Sequence, residues 1–293
     1  MATVISFELD TDHTADVSEI GRYPTMAAAS ADLPAGAYTT FRTYSGNRVL
    51  RLGQHFRRLE ESAALMGQHG SVSDDIARNA IARVLSHTRT EQWATPETRL
   101  RLTFAPPQLF VTVEPFQPYA ASLYENGVRC VTVSLHRDTP HAKSTRFIAS
   151  AADAYKSLPA DAHEGLMLAE DGSILEGLSS NFFAITEAGE PTQATLFTEE
   201  TRVLLGVTRS LVLEVASAVL PLRNTAIHMQ ALAEGHVREC FITSVSREIL
   251  PVVQVDAVRI HNGLPGPITR TLMQNMATLI HHESEPLYAN PGR

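Results

Sequence analysis

A mixed α+β fold in two domains is what the sequence predicts, and three observations predict it. At 293 residues, the chain has room for about two domains of ordinary size. Strand-like and helix-like segments mix without a regular βαβ repeat. A proline-punctuated stretch near Pro115–Tyr124 separates a first half from a second. The expected division is a small N-terminal domain over residues 1–118 and a larger C-terminal domain over 119–293.

The elements follow in order. Residues 1–35 are weakly patterned. From Tyr38 to Tyr44, aromatic and β-branched residues predict a strand. It turns at Ser45-Gly46-Asn47 and continues through Arg48–Leu52. In His55–Met66, the residues Phe56, Leu59, Ala63 and Met66 recur at helical spacing, so one face is expected to be buried. A second helix is expected over 72–90. Arg99–Phe104 and Leu109–Val113 flank Pro106-Pro107 and read as a hairpin.

The second half opens with a strand over Gly127–Leu135. A polar stretch from Arg137 leads to Lys143, and an alanine-rich helix follows over 146–157. Short strands are expected at Gly165–Leu168 and Ser173–Leu175, around a turn at Glu170-Asp171-Gly172. Another is expected at Asn181–Ile185. Val207–Val219 has strong helical periodicity. Glu239–Thr243 and Val252–Val255 read as strands around a polar loop, and His281-His282 lies near a polar C-terminal tail.

Composition excludes several classes. The net charge is −8 with no basic block, which argues against a nucleic-acid partner, because phosphate backbones need a clustered basic face. No run of 18 apolar residues suggests a membrane span, and the first ten residues lack the pattern of a signal peptide. Two cysteines, Cys130 and Cys240, are too few for a disulfide scaffold, so a reducing cytoplasmic setting is the expectation. H-E-x-x-H is absent, and no metal site is expected.

The basic residues are more informative. Twenty-two are arginines and only two are lysines, Lys143 and Lys156. A P-loop needs Gly-Lys-Ser/Thr, and neither lysine follows a glycine. Any lysine chemistry therefore has two candidates. Lys143 lies in His141-Ala-Lys-Ser-Thr-Arg146, between a strand and a helix. The plain reading is a solvated loop lysine. The sharper one is a Schiff-base lysine, partly desolvated near other cations so that its amine can be free.

Glu176 interrupts an apolar strand end before Gly177-Leu-Ser-Ser-Asn181. It is either a strand-edge glutamate in water or a carboxylate that pairs with a pyridine nitrogen. Leu205-Gly-Val207-Thr208-Arg209 enters a helix, where backbone N–H groups and the helix dipole favour an anion; an ordinary helix start is the alternative. Thr243-Ser244-Val245-Ser246-Arg247 is rich in small hydroxyl residues, as a phosphate-cradling turn would be. Arg58 could add a charge-assisted bond to the same phosphate, or could simply be a solvated helix residue. One ligand accommodates a lysine, an acid, an arginine and two N–H-presenting turns: pyridoxal 5'-phosphate.

The order of these pieces resembles the class IV aminotransferases, the pyridoxal-phosphate enzymes of fold type IV. That group includes branched-chain and D-amino-acid aminotransferases and 4-amino-4-deoxychorismate lyases. The resemblance runs from about Gly36 to Leu272. It is carried by Gly36-Ala-Tyr-Thr-Thr-Phe-Arg42, His55-x-x-Arg58-Leu59, Lys143-Ser-Thr, Glu176-Gly-x-Ser-Ser-Asn181-x-Phe, Gly206-Val-Thr-Arg209, Phe241–Val252 and Gly263–Thr269.

The resemblance implies that the larger domain binds the cofactor and that Lys143 holds it as a Schiff base and moves the substrate Cα proton. It implies that Glu176 pairs with the ring nitrogen. Arg58, the amides of Val207 and Thr208, the Thr208 hydroxyl and the Ser244-Val245 turn would hold the phosphate. Val245 stands where many relatives have threonine, so only its amide would serve. It further implies an amino donor, a 2-oxo acid acceptor and a homodimer.

Departures bear on the substrate. Where the family's strand begins Gly-Asp-Gly-x-Phe/Tyr-Glu, this chain has Pro34-Ala-Gly-Ala-Tyr38-Thr39. Phe147 stands where branched-chain enzymes often carry tyrosine. The Arg-x-His trap of D-amino-acid enzymes is missing after Arg101. Thr40 and Arg42 look like the lyases, yet the lyases' glycine- and arginine-rich stretch near Arg101 is absent. Tyr38, Thr40, Arg42 and Arg101 are the candidate substrate residues. A branched-chain-like transaminase is the expectation. The alternatives are the lyase, which releases 4-aminobenzoate and pyruvate, a D-amino-acid or (R)-amine transaminase, and a non-catalytic binding protein on the same fold.

Overall fold

Val4–Leu9, the first strand of the computed structural model, is buried on nearly every residue, which masks the alternation that sequence reading relies on. The structure describes residues 4–9, 16–91, 93–188 and 193–287. Its elements segregate into two compact units. The first comprises Met1–Gln117, Ala142–Ala149 and His282–Arg293; the second comprises Pro118–His141 and Ser150–His281.

The first unit is built on an antiparallel five-stranded sheet, ordered Val17–Tyr23, Val4–Leu9, Gln108–Pro115, Thr98–Ala105, Ala37–Arg42. Its two outermost N-terminal strands and the short helix Met26–Asp32 arise from the stretch with little sequence pattern. Val17–Tyr23 is an edge strand that buries little. Thr25 caps the helix by accepting from the Ala28 amide. The hairpin around Pro106-Pro107 forms as expected, with Phe104 opposite Leu109.

The helices Leu52–Leu65 and Asp74–Thr88 contribute Leu52, Phe56, Leu59, Ile81 and Val84 to one core with Phe7, Phe41, Leu100, Leu102 and Phe104. Each large side chain so buried contributes about 1.5–3 kcal/mol. Leu287, near the C-terminus, is part of the same core.

In the second unit, strands run in the order Gln193–Phe197, Asn181–Ala188, Val237–Ser244, Glu248–Val255, Val128–Val133, Glu164–Leu168, Ser173–Gly177. Asn181 also pairs with Glu176, which joins the last of these strands back to Asn181–Ala188 and closes a ring of six. The polar loop expected after Thr243 is short, because the flanking strands extend to Ser244 and from Glu248.

The polar C-terminal stretch is instead the helix Pro267–Glu283, which buries Thr269, Leu272, Met276 and Ile280. Glu239 caps its start by accepting from the amides of Ile268 (3.1 Å) and Thr269 (2.6 Å). No helix among the described residues is long and apolar enough to cross a membrane.

Candidate active site

In the first unit, the strand Ala37–Arg42 pairs with Thr98–Ala105 so that Tyr38 faces Thr103, Thr40 faces Arg101 and Arg42 faces Arg99. Strand alternation puts Tyr38, Thr40, Arg42 and Arg101 on one face of the sheet and Ala37, Thr39 and Phe41 on the other. The candidate substrate residues therefore share a face.

The free edge of that strand receives Lys143. Tyr38 N donates to Lys143 O (2.8 Å), Thr145 N donates to Gly36 O (3.0 Å), and Ala37 bridges to Ser144. Lys143 N donates to the Ser62 hydroxyl (3.1 Å), so its backbone is held on both sides. On its other side Gly36 packs tightly on the strand Thr98–Ala105: a Cβ there would lie 2.2 Å from Phe104 O.

The Lys143 amine lies 4.6 Å from the Tyr38 ring centroid, and the Arg101 guanidinium lies 5.0 Å from the same centroid. Arg101 also donates to Met26 O (3.3 Å) and the Ser30 hydroxyl, while its buried Nε has no hydrogen-bond partner among the described residues. Burial lowers its pKa. Arg42 instead stacks on Tyr44 and Phe116. Lys156, the other lysine, is 76% exposed and pairs with Asp153, as a surface residue would.

On the opposite face, the helix Leu52–Leu65 brings His55 and Arg58 over Thr39. Arg58 Nη2 donates to Thr39 Oγ1 at 2.6 Å, and Thr39 Oγ1 lies 2.8 Å from His55 Nδ1. Arg58 has no carboxylate within salt-bridge distance among the described residues, and its buried Nε has no partner. Burial pulls its pKa down to about 10. A buried cation with no direct ion pair is costly, and an anionic ligand would relieve it.

In the second unit, Glu176 is nearly inaccessible. Its carboxylate accepts from Arg137 Nε (2.7 Å), the Leu204 amide (3.1 Å) and Asn181 Nδ2 (3.0 Å). Arg137, a residue that sequence reading left in a polar loop, is equally buried and forms an ion pair with it. The ion pair and these hydrogen bonds offset the cost of burying both groups.

Asn181 also donates to Leu204 O (2.7 Å), tying Glu176 to the entry of the helix Val207–Ser217. Gly206 precedes that helix in extended conformation; a Cβ there would lie 2.5 Å from Asn181 Oδ1. The amides of Val207 and Thr208 open the first turn, where no preceding helical carbonyl is available to them.

Asn181 sits between Glu176 and Thr243 in the sheet, so the Ser244-Val245 turn lies beside the same strand end. Ser244 Oγ accepts from the Arg247 amide (3.3 Å). Arg247 is paired with the fully buried Glu164 (3.0 Å) and donates to the Ser179 hydroxyl (2.8 Å). Glu164 accepts in addition from Ser179 (2.8 Å), Ser180 (3.2 Å) and the Gly165 amide (3.1 Å). This network joins the phosphate-cradle candidate to the loop after Glu176. Sequence reading missed Glu164, and Arg247 entered it only as part of a hydroxyl-rich turn.

Two buried groups here have no hydrogen-bond partner among the described residues: Thr243 Oγ1 and Arg209 Nε. Both lie in the second unit, next to the helix start and the turn that sequence reading offered as phosphate holders. Each unit by itself has groups that suit pyridoxal phosphate: a half-buried amine and a buried guanidinium in the first, a buried carboxylate and first-turn amides in the second.

Comparison with known proteins agrees. The amino-transferase class IV family matches residues 36–255. D-alanine aminotransferase of Bacillus licheniformis is 27% identical over 82% of this chain and 87% of its own. A probable branched-chain-amino-acid aminotransferase of Thermotoga maritima is 26% identical over 85% of this chain and 87% of its own. A hypothetical aminotransferase from Mycobacterium tuberculosis, solved in its PLP-bound form, shares the fold with a TM-score of 0.72. It is 20% identical and covers 94% of this chain and 98% of its own.

Proposed function

The chain belongs to the class IV aminotransferases, and within that family we propose that it transfers amino groups between a branched-chain-like amino acid and a 2-oxo acid. The family makes it a fold type IV transaminase that uses pyridoxal phosphate. When bound, the cofactor supplies an aldehyde that condenses with amines and a ring that takes up electrons from the substrate Cα.

The residue roles follow from motif order. Lys143 would hold the cofactor through its amine and would move the proton at the substrate Cα. Glu176, held ionised by Arg137, keeps the ring nitrogen protonated. Arg58, the Val207 and Thr208 amides, the Thr208 hydroxyl and the Ser244-Val245 turn hold the phosphate. The working protein is a homodimer.

One observation carries the substrate reading. Lys143 and Arg101 lie against the same Tyr38 ring, so a carboxylate paired with Arg101 would lie close to the amine that handles Cα. Arg42 is the weaker candidate because its guanidinium is stacked on two rings. The likeness to the T. maritima protein supports a branched-chain donor. The likeness to D-alanine aminotransferase favours a second reading, a D-amino-acid donor, which the missing Arg-x-His after Arg101, where Thr103–Pro107 stands, counts against.

The test is a panel of both amino-acid enantiomers and a chiral amine against 2-oxo acids, with pyruvate release from aminodeoxychorismate measured in parallel. Transfer from branched-chain L-amino acids is expected. Pyruvate release without transfer would overturn the reading. Borohydride should fix the yellow cofactor to the peptide bearing Lys143; label on Lys156 would defeat the assignment.

A further inference from the structure

Thr39 stands where the family's strand pattern carries a glutamate, and the structure shows what replaces that acid. Thr39 is fully buried on the core face of its strand, beneath the helix Leu52–Leu65. Its hydroxyl has one proton to give and accepts the Arg58 Nη2 bond at 2.6 Å. His55 Nδ1 lies 2.8 Å from that hydroxyl and 3.5 Å from Arg58 Nη2.

A ring nitrogen facing a guanidinium is not itself protonated, so Nδ1 accepts and Thr39 donates to it. His55 is 2% exposed, and its ring packs against Phe41 at 5.5 Å, which fixes the plane in which Nδ1 points. The three groups form a directed chain. Arg58 donates to Thr39, and Thr39 donates to His55.

We propose that Thr39 and His55 are positioning residues for the cofactor phosphate, His55 orienting the Thr39 hydroxyl and Thr39 orienting the Arg58 guanidinium. This rests on the reading of Arg58 as a phosphate ligand. Two neutral partners aim the guanidinium without cancelling its charge. A carboxylate in the place of Thr39 would meet the guanidinium as a charge, where the threonine hydroxyl accepts one N–H as a neutral group. The orphaned Arg58 Nε is left available to the incoming oxygen atoms.

The experiment measures dissociation constants of pyridoxal phosphate and of pyridoxal, which lacks the phosphate, for the full chain stripped of cofactor and reconstituted. Thr39→Val keeps the shape and deletes the hydroxyl. It is expected to weaken pyridoxal phosphate about tenfold, the scale of one charge-assisted hydrogen bond, and to leave pyridoxal unchanged. Thr39→Ser restores the hydroxyl and should restore the affinity. His55→Phe should give a smaller loss of the same phosphate-selective kind.

Arg58→Gln tests the underlying reading. If it weakens pyridoxal phosphate while Thr39→Val does not, the positioning chain is wrong and the phosphate assignment stands. If Arg58→Gln leaves affinity unchanged, both fall. Equal weakening of pyridoxal and its phosphate in Thr39→Val would show a general packing defect and overturn the proposal.

Discussion

Glu176 illustrates how much a single buried charge depends on its partners. Its carboxylate carries three hydrogen bonds, one of them from a guanidinium as buried as itself. Glu176→Gln keeps the shape and strands the Arg137 charge, a change that costs about 3–5 kcal/mol for pairs of this kind. Urea unfolding should show that loss. On the proposed pairing of Glu176 with the ring nitrogen, the half-reaction rate should fall at least tenfold, by about 1.4 kcal/mol in the barrier.

His55 makes a pH-dependent contribution with a definite sign. Burial, with Arg58 and Lys143 nearby, holds its pKa well below 6.5. Below that pH the unfolded chain binds a proton that the folded chain refuses, so stability falls as pH falls. The slope from this group is at most about 1.4 kcal/mol per pH unit. Chemical unfolding between pH 7.5 and 5.5 should show a component that vanishes in His55→Phe.

Among the elements, the strand Val237–Ser244 and the loop after Glu176 are joined through side chains rather than backbone. Arg247, Ser179 and Ser180 converge on Glu164, whose side chain has no exposure. Glu164→Gln should destabilise the protein by about 3 kcal/mol and loosen the Ser244-Val245 turn. The readout that separates positioning from stability is the pyridoxal phosphate dissociation constant, measured well below the melting temperature. The variant should lose affinity there. The double variant Glu164→Leu, Arg247→Met should recover stability but not affinity, since paired apolar replacements restore packing while the turn keeps its lost anchor.

Secondary structure was legible where an apolar face recurs at a clear period or a turn marks a hairpin. The helices Leu52–Leu65 and Val207–Ser217 were visible by their spacing, and the Thr98–Ala105 and Gln108–Pro115 hairpin by its turn. Val4–Leu9 was hidden because both its faces are buried, and Val17–Tyr23 because an edge strand buries too little to show a period. Pro267–Glu283 was hidden because its buried stripe is four residues among many polar ones.

At the scale of the whole molecule, the first unit is assembled from three separate stretches of chain. Leu287 lies in the same core as Phe41 and Leu52, and Glu285 pairs with Val49. Leu287→Ala is expected to cost about 2–5 kcal/mol, as truncation of a fully buried leucine does. Differential scanning calorimetry should register it, and removal of residues 282–293 should cost more.

Two lysines left two candidates for amine chemistry, the motif order of the resembling family pointed to Lys143, and the structure puts Lys156 on a helix surface. Motif order added Glu176, Arg58 and the two turns. What the sequence could not show were the groups that aim them. Arg137, Glu164, Arg247, Thr39 and His55 act through contacts between residues far apart in the chain, and such pairings leave no local period. Thr39 and Thr40 are the same residue type in adjacent positions. Only the register of the strand and the helix packed across it decides that one lies with Arg42 and Arg101 and the other beneath Arg58, because successive side chains of a strand must point to opposite faces.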